Sequence, residues 1–377
     1  MRGRVTEAVS IDAAVVEAAE RTGSPVLDEG GATFVWLGDG PGPVVFGDWC
    51  GWEPAAGLRL EATGGAWAGR VELASNAYAE YALLHRGRRV PDPLNPNKVD
   101  NGFDKWNEQL WMPEAPRLLE AVRGRDVPAG SIIGGRLRLP FLAAPPRDRR
   151  LDLYLPAPEI ASDPAQLPLL LVLDGPDYLE RGELHRTLDA LIGDGAMAPV
   201  AAAFLANAGD ARAIEYGASD FTLAVLADVV VPAAEERLGL GMHRMHAGPG
   251  RAAILGSSLG GLMALHAVAR RPDVFGTGIA QSTSAMLDDH ALPGGTIPAV
   301  RLTTLALIEA APPSPARLWL DAGDLEWLAE PNDRLAALLQ GRGWDVTYRR
   351  QHGGHNQTSW ADALVEALPA MFPPARA

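Results

Sequence analysis

Apolar and polar positions follow one rhythm in the first third of the chain and another in the rest. Residues 11–21 (IDAAVVEAAER) carry apolar side chains at helical spacing and predict one amphipathic helix. From Thr33 to about Tyr81 the pattern breaks into the short apolar runs TFVWL, PVVFGDW, GLRLEA, AWAGRVEL and AYAEYALL, separated by Gly, Pro and Asp. Short strands between turn signals predict a small β-sandwich. Residues 91–117 are rich in Pro, Asn and Asp with no steady period, which predicts a loop or linker continuing to about Gly130.

From Ser131 the rhythm changes. Strand candidates are SIIGGRLRLPFL, RRLDLYLP, LPLLLVLDG, APVAAAFLA, RAAILGSS, VFGTGIAQS, ARLWLDAG and WDVTYRRQ, and helical patterns occupy 183–193, 219–238, 259–270, 330–341 and 358–370. Strands that alternate with helices, several of them apolar throughout, predict a mostly parallel sheet covered on both faces. The first two strands have no helix between them and should pair antiparallel at the sheet edge. The fold class expected is α/β with a small β-sandwich in front, divided as 1–120 and 121–377.

Composition narrows the function. Among 377 residues, 33 Lys and Arg face 47 Asp and Glu, and the net charge of −14 divides evenly, −7 on each side of residue 120. No basic face for nucleic acid or an anionic membrane is expected. With Cys50 as the one cysteine, no intrachain disulfide can form and no cysteine-based zinc site is possible. The first 21 residues lack the apolar run of a signal peptide, and no stretch approaches 18 uncharged apolar residues, so a cytoplasmic protein is expected. Six tryptophans (36, 49, 52, 67, 106, 111) fall in the first third, where filling a small β core is a simpler account than stacking sugar or aryl rings.

The chemistry centres on Gly256-Ser257-Ser258-Leu259-Gly260. This G-x-S-x-G run sits between the strand pattern RAAIL and the helical pattern LMALHAVARR, the setting of a nucleophile elbow. Ser258 is the candidate nucleophile, and the backbone N–H of Leu259 at the helix N-terminus is the candidate oxyanion donor. A serine hydroxyl needs a base. Beyond the serine's own helix only His290, His352 and His355 follow, and His355, in a Gly-Gly-His loop before the last helix, stands where the base belongs. The acid should follow RLWLDAG, where Asp321, Asp324 and Glu326 all qualify. No motif supports a metal at His352 and His355, and neither metal nor cofactor is expected. The expected partner is a small-molecule ester; oligomeric state is left open by the sequence.

Several runs resemble the enterochelin (enterobactin) esterase family within the esterase D-type α/β hydrolases. They are DPLNP at Asp92–Pro96 with MPEAP at Met112–Pro116, LLLVLDG at Leu169–Gly175, RAIEY at Arg212–Tyr216, the GSSLGG elbow, and GGHNQTSW at Gly353–Trp360. The resemblance implies an immunoglobulin-like domain before an α/β-hydrolase domain that hydrolyses a cyclic tri-serine catecholate siderophore and releases iron. It implies Ser258 as nucleophile, His355 as base and Glu326 as acid, with Asp324 the alternative, and Trp360 as a packing residue. It also places the second oxyanion N–H at the residue after Gly175. Here that residue is Pro176, which has no N–H, and Asp177 or Tyr178 is the candidate substitute. Thr283, Ser284, Ala285 and Met286 stand where the resemblance expects aromatic residues, and Arg181, Arg186, Arg349 and Arg350 are candidate cations for an anionic substrate. Other readings are an esterase for aryl, acyl or sugar-linked esters, and a weakly catalytic ligand-binding relative.

Overall fold

The computed structural model describes residues 13–103, 105–140, 143–241, 250–285, 306–310 and 312–374. His290 and Met286 lie outside them. The expected first helix is α1 (Ala13–Thr22). Behind it come β1 (Val26–Asp28), β2 (Gly31–Trp36), β3 (Val44–Gly47), β4 (Leu58–Arg59), β5 (Glu61–Thr63), β6 (Ala66–Glu72), β7 (Tyr78–His85), β8 (Arg88–Val90), β9 (Lys98–Asp100) and β10 (Trp106–Trp111). They form two antiparallel sheets, β1-β2-β6-β5 and β4-β3-β7-β10-β9, with β8 on β7. Inward side chains of both sheets share one core: Phe34 and Val71 from the first, Val45, Tyr81 and Leu110 from the second. Phe34 meets Tyr81 edge-on at 4.9 Å and Trp49 at 5.7 Å. Trp49 is buried, whereas Trp106 is exposed.

The expected linker at 91–117 is corrected here, because β9 and β10 complete the second sheet. Strand β10 buries polar residues beside Leu110. Buried Asn107 donates to Glu80 at 2.6 Å, and buried Glu108 accepts from the Asp92 amide at 3.0 Å, so no apolar period marks the strand.

The second part builds a nine-stranded sheet from β11 (Ser131–Ile133), β12 (Arg136–Arg138), β13 (Asp148–Leu155), β14 (Leu169–Val172), β15 (Ala201–Leu205), β16 (Ala252–Ser257), β17 (Phe275–Gln281), β18 (Arg317–Gly323) and β19 (Asp345–Gln351). Its order is β11-β13-β15-β14-β16-β17-β18-β19, with β12 also on β13. The first strand candidate is split in two at Gly134–Gly135, and both pieces pair antiparallel with β13. From β15 through β14, β16 and β17 to β18 the pairs are parallel. Leu169 and Leu171 of β14 enter one core and Leu170 and Val172 the other, which is why the strand is apolar at every position.

Helices α2 (Leu118–Arg123), α3 (Leu184–Gly193), α4 (Arg212–Tyr216), α5 (Asp220–Val225), α6 (Val231–Leu238), α7 (Leu259–Arg270), α8 (Ala329–Gly341) and α9 (Gln357–Met371) belong to this part. The pattern at 219–238 is divided by a π-helical turn at Leu226–Val230. Among the described residues no single helix is long and apolar enough to cross a membrane.

The chain forms two compact units. One joins residues 1–117 with the two loops 323–329 and 350–359, and the other holds the remainder. A division drawn along the sequence at residue 120 assigns both loops to the later segment.

Candidate active site

At the end of β16 the chain turns sharply into α7. Ser258 takes φ 58° and ψ −117°, a conformation that strains a residue with a Cβ and that lifts its side chain out of the turn. Gly256 has to be glycine, because a Cβ there would sit 2.5 Å from the Gly260 backbone. Three bonds lock the turn: Ser258 N–H donates to Gln281 O (2.8 Å), and Ser258 O accepts from Leu262 N–H (3.0 Å) and Ser284 N–H (3.2 Å). The Ser258 hydroxyl lies 3.3 Å from that of Ser284. Leu259 opens α7, so its N–H has no carbonyl one turn back and is left for an incoming anion.

The LDG run after β14 is held from the side by α4. Asp174, at φ 51°, accepts from Arg212 through both carboxylate oxygens (2.8 and 2.7 Å) and from Asn207 (2.6 Å). Glu215, in the same RAIEY run, makes a buried two-point ion pair with Arg149 at 2.6 and 3.0 Å. Two residues of the motif thus tie the turn after β14 and the strand β13 to one helix. Pro176 begins a π-helical turn, Asp177–Arg181. The Asp177 N–H donates to Asp174 O at 3.0 Å, so the candidate second oxyanion amide is already engaged within its own turn.

The loops after β18 and β19 pair two acids with two histidines. Glu326 Oε2 is hydrogen-bonded to His355 Nδ1, and Glu326 Oε1 accepts from the Gly323 amide at 2.8 Å. Glu326 is 2% exposed. A carboxylate only accepts, so Nδ1 carries the proton, and in a neutral ring the lone pair then falls on Nε2, the form a general base needs. The Trp327 ring lies against the imidazole with centroids 4.5 Å apart. Asp324 instead bonds the neighbouring, half-exposed His352 (Oδ2 to Nδ1, 2.5 Å). The loops are registered by Asp324 N–H to Gln351 O (2.9 Å) and Leu325 N–H to Gly353 O (3.1 Å).

Asp321 is fully buried and accepts from Trp319 (2.8 Å) and Gln281 (3.1 Å), which makes it a strut between strands. Trp360 donates its indole N–H to Ser282 at 2.8 Å and so packs over β17. Among the described residues no group of three or more His, Cys, Asp or Glu side chains could hold a metal ion. Sequence reasoning missed Trp327, Asn356 and Asp48. Asn356 stands inside the quoted GGHNQTSW run, while Asp48 comes from the sandwich and carries no local signal.

The Esterase family model, described as Putative esterase, matches residues 143–371, more than half of the chain. The chain belongs to the esterase family. Among curated relatives, this esterase-family chain is 27% identical over 291 residues to the iron(III) enterobactin esterase of Dickeya dadantii, covering 74% of this chain and 64% of that protein. The aligned part thus spans a little under two thirds of that relative. It is 25% identical over 321 residues to the iron(III) salmochelin esterase of Escherichia coli, covering 82% of this chain and 75% of that protein. Among solved structures, the ferric enterobactin esterase of Salmonella typhimurium matches with a TM-score of 0.73 at 21% identity, covering 93% of this chain and 97% of that one. The enterobactin esterase of Shigella flexneri, determined in the presence of enterobactin, matches with a TM-score of 0.71 at 19% identity, covering 93% and 95%. Those likenesses establish the fold: antiparallel sandwich sheets followed by an α/β-hydrolase sheet.

Proposed function

We propose that this chain is a serine ester hydrolase that works through an acyl-enzyme, with a catecholate siderophore trilactone of the ferric enterobactin type as its substrate. The observation that carries the reaction class is Ser258 held in a strained elbow at the mouth of α7. The hydrogen-bonded Glu326–His355 pair supports it. The substrate class rests on the names of the curated relatives.

In this mechanism Ser258 Oγ attacks the ester carbonyl while His355 Nε2 takes its proton, and Glu326 holds the ring and stabilises the imidazolium. The oxyanion is met by the Leu259 amide. His355 then returns the proton to the leaving serine hydroxyl, and water, deprotonated by the same nitrogen, releases the acyl group. With Pro176 lacking an N–H and the Asp177 and Tyr178 amides both turned to Asp174 O (3.0 and 3.4 Å), this reading leaves the oxyanion one donor of the usual two; a missing donor costs about 2.7–4 kcal/mol of transition-state stabilisation. A slow enzyme is the expected consequence.

Intact mass after incubation with a fluorophosphonate tests the reading. One adduct on wild type and none on Ser258→Ala is expected, followed by ring opening of ferric enterobactin by wild type only. Undiminished ester hydrolysis by Ser258→Ala would overturn it.

A further inference from the structure

Asp48 reaches far from its place in the sequence, to a residue 308 positions later. It follows β3, is 1% exposed, and accepts three hydrogen bonds: Glu80 N–H (2.8 Å) and Asn356 Nδ2 (2.9 Å) on Oδ2, and Trp52 Nε1 (2.9 Å) on Oδ1. Asn356 directly follows His355. Its Oδ1 accepts from Ser359 N–H at 2.8 Å and so caps α9, fixing both ends of this link. On the other side of His355, the Asp48 carboxyl group occupies the space a side chain at residue 354 would need, so Gly354 cannot carry a Cβ. The same loop is gripped by β7: Tyr78 N–H donates to His352 O (2.8 Å) and Thr358 Oγ1 to Glu80 (3.4 Å). The acid's loop is held by the same body, with Leu325 buried in the sandwich core.

We propose that Asp48 is a positioning residue for His355, anchoring residues 354–356 on the sandwich and supplying a negative charge that favours the protonated imidazole formed during catalysis. This rests on the reading of His355 as the base. Asp48 is expensive to keep. Burial outweighs its three donors and raises its pKa from 3.8 to about 6, while His355 acts in the opposite direction. At neutral pH the ionised, buried carboxylate therefore opposes folding relative to an exposed aspartate, and that penalty shrinks as pH falls through about 6 and is fully relieved only below 3.8. A residue chosen for packing alone would not carry it.

The ionisable groups around this pair are Glu326 on the acid loop, His352 with Asp324 beside it, Tyr78 and Glu80 on β7, and Cys50 next to Asp48. Asp48→Asn leaves all of them in place. Without the carboxylate the imidazole binds its proton less tightly, so its midpoint moves to lower pH.

The test is a histidine ring ¹H–¹⁵N titration of the full chain, with His355 assigned through His355→Gln, beside kcat and KM over pH 5–8. For Asp48→Asn the His355 midpoint should fall by about one unit. The limb of kcat/KM should move with it and lose the steepness that Asp48 protonation adds, and kcat should drop about tenfold with KM within about twofold. Asn356→Ala, which keeps the charge and cuts the tether, should lower kcat without that fall in the midpoint. An unmoved His355 midpoint in Asp48→Asn, or wild-type kcat in both variants, overturns the proposal. The ring titration reads Asp48 on His355 even if wild type fails to label with fluorophosphonate, which would count against the reading of function instead.

Discussion

Glu326 and Asp324 stand two positions apart, and each holds a histidine, so the acid of the proposed triad follows from which histidine is taken as the base. Both residues suit the interval after β18, and chain order alone leaves them equal; the hydrogen bonds separate them, because Glu326 is buried against His355 while Asp324 serves a half-exposed ring. Glu326→Gln should lower kcat by roughly 10³- to 10⁴-fold, since an amide no longer enforces the tautomer that leaves Nε2 free. Asp324→Asn should change kcat by less than about threefold, as expected for a partly exposed residue outside the reacting set. Steady-state kinetics on the two variants checks both numbers. The elbow at Ser258 was legible as a strand–turn–helix because it announces itself locally, with glycines at the turn and a strand and a helix on either side. Asp48 was not: its meaning depends on Asn356, more than three hundred residues later, and nothing near it in the sequence marks that meeting.

At the scale of elements the same contrast holds. Strands β14, β16 and β18 were legible from unbroken apolar runs, because a strand buried on both faces cannot afford a polar side chain without a partner. Strands β9 and β10 were illegible for the converse reason, since β10 buries Asn107 and Glu108, satisfied by Glu80 and the Asp92 amide, and β9 buries no side chain fully. In the proposed mechanism, the turn after β14 is the element expected to limit rate. Arg212 and Asn207 clamp Asp174, and the chain passes into Pro176 and a π-helical turn whose first amide is bound to Asp174 O. Replacing Pro176 with alanine returns an N–H to the position where the resemblance expects the second oxyanion donor. Pro176→Ala should raise kcat at least tenfold with little change in KM, against a ceiling of roughly 100- to 1000-fold for a complete donor. A rate no higher than wild type would show that the restored amide points elsewhere.

Over the whole molecule, the sandwich and the loops carrying Glu326 and His355 form one compact body. Damage to the sandwich core should therefore appear as lost catalysis. Phe34, packed against Tyr81 and Trp49, is the probe: Phe34→Ala should cost about 3–5 kcal/mol. In a denaturant titration, ester hydrolysis should fail at the same midpoint as the tryptophan fluorescence of the sandwich. Activity that outlasted the fluorescence change would separate the two. The body is discontinuous, assembled from residues 1–117 and two short segments near the end of the chain. Its parts must accordingly be inherited together. A recombination that joined a foreign first domain to this second one at residue 117 would bring a sandwich with no memory of Asn356, Gly354 or Leu325, and a functional hybrid would have to exchange 323–329 and 350–359 in the same event.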